Sequence, residues 1–169
     1  MPVVPVPVTC HSEKMEVQHV ARNTDLHLRN QMIYSVFVRN YSSEGTFEKV
    51  REDLPRIRSL GADIIWLMPI HPIGKSNRKG SMGSPYAIRD YRAINPEYGT
   101  LEDFQALVDS IHALGMKVII DVVYNHTSPD SWLRENHPEW FYHKPDGSFG
   151  NHVGEWTDII DLDYNQRGL

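Results

Sequence analysis

"KVIIDVVYNH", residues 117–126, is the stretch on which the reading of this chain turns. Val118, Ile119, Ile120, Val122 and Val123 are β-branched and almost uninterrupted, the composition of a buried strand. Asp121 breaks the run, and Asn125 and His126 follow at its tip. A carboxylate inside an apolar strand is costly unless it is paired or hydrogen-bonded. Asp121 is therefore either the partner of a neighbouring backbone group or a group aimed at a site. Asn125 and His126 also read two ways, because "NHTSPDS" (125–131) suits a simple turn.

Working outward, "TLEDFQALVDSIHALG" (100–115) carries Leu101, Phe104, Val108, Ile111 and Leu114 at helical spacing. Thr100 and Asp103 form a capping-box pattern at its start, and Gly115 stops it. "ADIIWLMPI" (62–70) is a second apolar run, closed by Pro69 and Pro72. Before it, "SSEGTFEKVREDLPRIRSLG" (42–61) spaces Phe47, Val50, Leu54 and Ile57 by threes and fours, with Thr46 as N-cap and Gly61 as the stop. Pro55 sits inside that helix and should kink it or delay its regular part. "QMIYSVFV" (31–38) opens the series as a strand. Apolar strands alternating with amphipathic helices predict a parallel α/β sheet covered on both faces, with function at the C-terminal strand ends.

The bulk composition narrows the function. With 169 residues and 40% hydrophobic content the chain can build one real core. A net charge of −5 with no basic block argues against nucleic acid, which needs a positive face. No run approaches the roughly 18–20 apolar residues of a membrane span. The single Cys10 permits no internal disulfide. "MPVVPVPVTC" lacks the charged start of a secretion signal, so a cytoplasmic location is expected. Residues 1–30 read as a lead-in, poorly ordered or loosely docked, 31–126 as three strands with their helices, and 127–169 as a loop region.

Residues 71–99 form a long loop rich in Gly, Ser, Pro, Asn and Tyr, and loops of that length are usually functional or disordered. Tyr86, Tyr91, Tyr124, Trp132, Trp140 and Trp156 stand in loop contexts near Asp, Asn and His. Any one of them can be local packing; together they suit a cleft that stacks flat, hydroxylated rings, as sugars are. There is no His-x-His or Glu-x-x-His pattern to suggest a histidine metal site.

At this point the sequence resembles the α-amylase family, glycoside hydrolase family 13. "DVVYNH" (121–126) is similar to the family's Asp-x-x-x-Asn-His region at the end of its third barrel strand. "SPYAIRDYRAINPEYGT" (84–100) resembles the segment after its second strand, and "DIIDLD" (158–163) the short region near the end of its B domain. The resemblance runs from about 31 to 169 and implies a partial (β/α)8 TIM barrel, the first three βα units with a short B-domain-like insertion.

By position, the resemblance makes Tyr86 the ring that stacks on the sugar at the cleavage subsite and His126 its hydrogen-bond partner. It makes Asp121 a carboxylate that orients the centre, and Asn125 and Asp161 ligands of a structural calcium ion, a hard cation suited to oxygen donors. It implies no organic cofactor. The family's catalytic Asp, Glu and Asp belong to later strands, so no catalytic residue is expected before Leu169, and the chain alone should be inactive. The implied whole is a retaining glycosidase acting on α-glucans or malto-oligosaccharides. A sister activity (α-glucosidase, branching, debranching or transglycosylase) and a non-catalytic carbohydrate-binding homologue are the alternatives. Ala87 stands where members with a closed, end-gripping pocket often carry Asp, and the loop "GKSNRKGSMGS" (74–84) is polar and glycine-rich, so an open cleft attacking internal bonds is expected.

Overall fold

The computed structural model describes residues 26–169 and divides the chain into two units, 1–30 and 31–169. Most of the expected lead-in, residues 1–25, lies outside the described residues. Within the first unit, Leu26–Asn30 form a single exposed 3-10 turn.

Three strands make the frame of the second unit: β1 (Met32–Val36), β2 (Ala62–Leu67) and β3 (Lys117–Ile120), all parallel, in the order β1-β2-β3. After β1 the chain bends into the short helix α1 (Val38–Tyr41), so the first strand ends before Phe37 rather than running through it. Helix α2 (Phe47–Ser59) buries Phe47, Val50, Leu54 and Ile57, the stripe its spacing predicts. Each such side chain contributes about 1.5–3 kcal/mol when fully removed from water. Pro55 neither breaks nor delays this helix, which runs on to Ser59. Thr46 occupies its N-cap, but its side chain accepts no capping hydrogen bond.

Helix α3 (Leu101–Ala113) follows the long loop and starts on a complete capping box: Asp103 N–H donates to Thr100 Oγ1 at 3.2 Å, and Thr100 N–H donates to Asp103 Oδ2 at 2.8 Å. Gly115, at φ 72°, makes the left-handed exit that a side chain would resist. The face α3 buries is set by Leu107 and Ile111, with Phe104 half-buried. Leu101, expected in the stripe, is exposed because it sits in the first turn.

The helices α2 and α3 share one core with Val36, Ile65 and Leu67 of the strands. Cover on both faces was expected, and the described residues supply it on one only. On the other face Ile33, Trp66 and Ile119 remain 38–52% exposed. A second correction concerns Asp121. The third strand stops at Ile120, and Asp121 lies just past its end, half-buried, its N–H closing the ladder on Leu67 O at 2.8 Å. It is not a carboxylate buried within a strand.

Beyond the tip, residues 126–162 fold back on themselves. Strand β4 (His126–Thr127) pairs antiparallel with β5 (Ile160–Asp161), placing His126 opposite Asp161. Between them lie the short helix α4 (Trp132–Asn136) and a 3-10 turn, Pro138–Trp140. Phe141, Ile159 and Ile160 fill a small second core there.

Candidate functional site

The tip after β3, the loop 71–99 after β2 and the return strand β5 converge at the C-terminal edge of the sheet. Tyr91 fixes the tip from below: its Oη lies 2.5 Å from the carbonyl of Val123 and 2.9 Å from that of His126, donating to one at a time. Burial pushes the Tyr91 phenol up, so it stays a protonated donor. The loop is bound to the turn after β4 as well. Ser128 N–H donates to Ile88 O at 2.9 Å, and Trp132 N–H donates to Arg89 O at 2.8 Å.

Asp130 carries much of this attachment. Its carboxylate accepts from the backbone N–H groups of Lys75 (3.0 Å to Oδ2) and Ser76 (3.3 Å to Oδ1), and from the Ser128 hydroxyl. Burial alone would raise its pKa, but the bonds from Ser128, Lys75 and Ser76 outweigh it and hold the carboxyl below the usual range. Gly74 is required beside it, since a Cβ there would lie 1.7 Å from Ser128 Oγ.

Within this frame, four of the five residues singled out in the sequence stand near one another. Tyr86 Oη donates to Asp121 Oδ2 at 3.3 Å, so the carboxylate at the strand end holds the ring of the loop. Burial, the Asp121 charge and this hydrogen bond all raise the phenol, which remains neutral. Tyr86 and His126 line one cavity of about 390 Å³, within the size range of small-molecule sites. His126 is half-buried, and desolvation lowers its pKa against the opposing pull of Asp161, the Tyr86 backbone and Asp158. A neutral imidazole offers one donor and one acceptor to a hydroxyl. Asn125 Nδ2 lies 3.2 Å from His126 Nδ1.

Asp161 stands across the β4–β5 pair from His126, but its carboxylate is engaged by another residue. It is buried, and its Oδ2 accepts from the N–H of His152 at 2.8 Å and meets His152 Nδ1 at 2.7 Å. Calcium takes six to eight oxygen ligands. Asn125 and Asp161 do not make such a site by themselves, one carboxylate oxygen being engaged by His152. Among the described residues no three His, Cys, Asp or Glu side chains form a metal-holding group.

Sequence reading missed His152, and on the cavity wall it missed Lys79 and the part Asp158 plays beside Trp156. Trp156 stood among the loop aromatics and Asp158 opens "DIIDLD", but neither pattern told which loop it would face. The loop 74–84 is tied to the segment before β5: Lys79 Nζ reaches Asp158 Oδ1 at 3.2 Å and Asn77 Nδ2 donates to Thr157 O at 3.1 Å. A larger cavity of about 510 Å³ lies along the strand tip, lined by Val122, Val123, Tyr124 and Leu162 among others. His71, Arg89, Asp90 and Arg92 also line it, and it contains none of the five predicted residues.

Residues 20–153 match the catalytic domain of alpha amylase. The chain belongs to the alpha-amylase family. Among solved structures, this alpha-amylase-family chain is similar to an alpha-amylase from Lactobacillus plantarum at 66% identity and TM-score 0.82, over 83% of this chain and 33% of that one. It is also similar to the maltogenic alpha-amylase AmyB of Thermotoga neapolitana, at 41% identity and TM-score 0.78, over 84% and 34%. An alpha-1,4-glucan:maltose-1-phosphate maltosyltransferase of Salinibacter ruber is 41% identical over 66% of this chain and 20% of its own length. The chain thus spans about a third of the solved relatives and a fifth of that transferase. The α/β architecture with its parallel sheet is that of a partial (β/α)8 barrel. Among the described residues no helix is long and apolar enough to cross a membrane.

Proposed function

We propose that this chain supplies part of the sugar-binding site of an enzyme that cleaves or transfers α-glucosidic bonds in starch-like glucans. The observation that carries the reading is the joint placement of Tyr86, held by Asp121, and His126 around one cavity at the strand ends. Tyr86 offers a ring face to the sugar, and the neutral His126 offers a hydrogen bond to a hydroxyl. Retaining glycoside hydrolysis needs two carboxyl groups about 5–5.5 Å apart, one attacking and one protonating the leaving oxygen. Asp121 is committed to Tyr86 and Asp161 to His152, so neither takes those parts, and the chain by itself should release no reducing sugar from soluble starch.

In the full-length protein, His126→Ala should lower kcat and kcat/KM together, the mark of an interaction made mainly in the transition state. Tyr86→Ala should also raise KM, since stacking acts in the ground state too. Wild-type kinetics from either variant removes that residue from the site.

Transfer to a glucan acceptor, the second reading, has the support of the similarity to maltosyltransferases. Feeding labelled maltosyl donor with and without glucan separates the two: hydrolysis yields free maltose in both, transfer only elongated glucan when acceptor is present.

Calcium at Asn125 and Asp161 has its own test. Metal bound only to the folded state raises stability by mass action. If it binds, chelation lowers the melting temperature of the full-length protein and added calcium restores it. Unchanged melting, with a lower melting temperature in His152→Ala, assigns the tie on Asp161 to His152 instead.

A further inference from the structure

The cavity that holds Tyr86 and His126 continues to a wall that the function above does not use. Lys79, Trp156, Asp158 and Ile159 form it, from two loops far apart in sequence. Asp158 is almost completely buried, its side chain 7% exposed, while its partner Lys79 keeps 53% exposure. The Lys79 ammonium also stands 5.9 Å from the centre of the Trp156 ring, which is itself 46% exposed. The wall is anchored from behind. Asn77 Nδ2 donates to Thr157 O at 3.1 Å, and Asn151 Nδ2 donates to Trp156 O at 2.6 Å.

An exposed indole and an extended lysine can be ordinary surface residues. Their position argues otherwise, because a nearly buried carboxylate, a cation with donors beyond the one given to Asp158, and an aromatic face all border one cavity. That set matches a pyranose, whose neighbouring hydroxyls each donate and accept while its C–H face packs on a ring. The pair is electrically balanced, so the ligand it suits is neutral rather than a phosphate. Because the wall adjoins Tyr86 and His126, the ring it would hold is the one joined to theirs.

We propose that Lys79, Asp158 and Trp156 form a second subsite, which grips the glucosyl unit adjoining the one at Tyr86 and His126 and so selects a maltosyl over a glucosyl unit. The proposal rests on the glycan reading above. The test uses the full-length protein and two chromogenic substrates, 4-nitrophenyl α-maltoside and 4-nitrophenyl α-glucoside, with the ratio of their kcat/KM values as readout. Lys79→Met, which keeps the stem and removes the charge, should reduce the maltoside-to-glucoside ratio about tenfold, the effect of losing one hydrogen bond to a charged group. Trp156→Ala should also reduce it, through loss of the ring face on which the sugar packs. An unchanged ratio, whether both rates fall together or neither does, overturns the subsite.

Calorimetric binding gives an answer that does not depend on turnover. Wild type should bind maltose about tenfold more tightly than Lys79→Met does, and equal affinities overturn the proposal. Tighter binding of maltose 1-phosphate than of maltose, lost in Lys79→Met, would also overturn it in favour of an anion site. A wild type that turns over neither chromogenic substrate nor starch strikes the glycosidase reading itself, while the maltose measurement still decides the subsite.

Discussion

The two faces of the three-stranded sheet are built from the same residue types and live in opposite environments. On one face Val36, Ile65 and Leu67 are sealed under α2 and α3. On the other, Ile33, Trp66 and Ile119 meet solvent. β-Branched and aromatic content therefore marked where strands are, and packing alone decided which side is core. An exposed apolar surface of this kind calls for a cover, and in a barrel the cover is the rest of the strand ring. The contrast can be broken directly. Ile57→Ala empties a site in the sealed core and should cost about 2–5 kcal/mol of unfolding free energy. Ile119→Ala in this chain alone should stay within roughly 0.5 kcal/mol, while in the full-length protein it should approach the core value. Equal costs for the two substitutions in the isolated chain would show that the bare face is covered after all.

The loop 71–99 sharpens the comparison, because it is held by polar bonds where the sheet is held by burial. Gly74→Ala would press a methyl group onto Ser128, and overpacking of this kind costs about 1–3 kcal/mol. Asp130→Ala should cost a similar amount, since it leaves the Lys75 and Ser76 N–H groups without their acceptor. The polar attachment also has a pH signature that burial lacks. The folded pKa of Asp130 lies below that of an unfolded aspartate, about 3.9. Its stabilisation is therefore present above that pH and is lost as pH falls through the folded value. Urea titrations of wild type and Asp130→Asn should differ by a constant amount from pH 7 to 5 and converge in stronger acid. A gap that persists there would mean the loop is held by packing.

These differences trace what the sequence could and could not disclose. The helices and strands were legible because their stripes are local: Phe47, Val50, Leu54 and Ile57 need only their own spacing to be recognised. The pairing of Tyr86 with His126 came with the family resemblance, and the loops after β2 and β3 do bring both to one cavity. Asp121 was misplaced by one step, since a β-branched run does not say where its neighbour ends; β2 ends at Leu67, and so the ladder closes at Asp121. The cavity wall stayed hidden for a stronger reason. Asn77 and Thr157 are 80 residues apart, and only the fold-back of 126–162 onto the loop brings Lys79 to Asp158. Likewise, neither spacing nor composition says that His152 will occupy Asp161.

The smallest expected effect separates two threonines that look alike in sequence. Thr46 and Thr100 each precede an amphipathic helix, and three residues later the sequence supplies Lys49 in one case and Asp103 in the other. Only Asp103 is an acceptor. At α3 the box closes in both directions, satisfying two backbone N–H groups that the helix itself cannot bond. At α2 the Thr46 side chain makes no capping bond, and the N–H of Phe47 is taken instead by Tyr98 O at 2.9 Å, a bond brought by the long loop. Local chemistry thus starts α3, while tertiary structure starts α2. Thr100→Ala should cost about 1 kcal/mol in chemical denaturation, and Thr46→Ala should stay within roughly 0.5 kcal/mol. Equal losses from the two substitutions would mean that Thr46 caps its helix in solution, and that the two starts are not built differently.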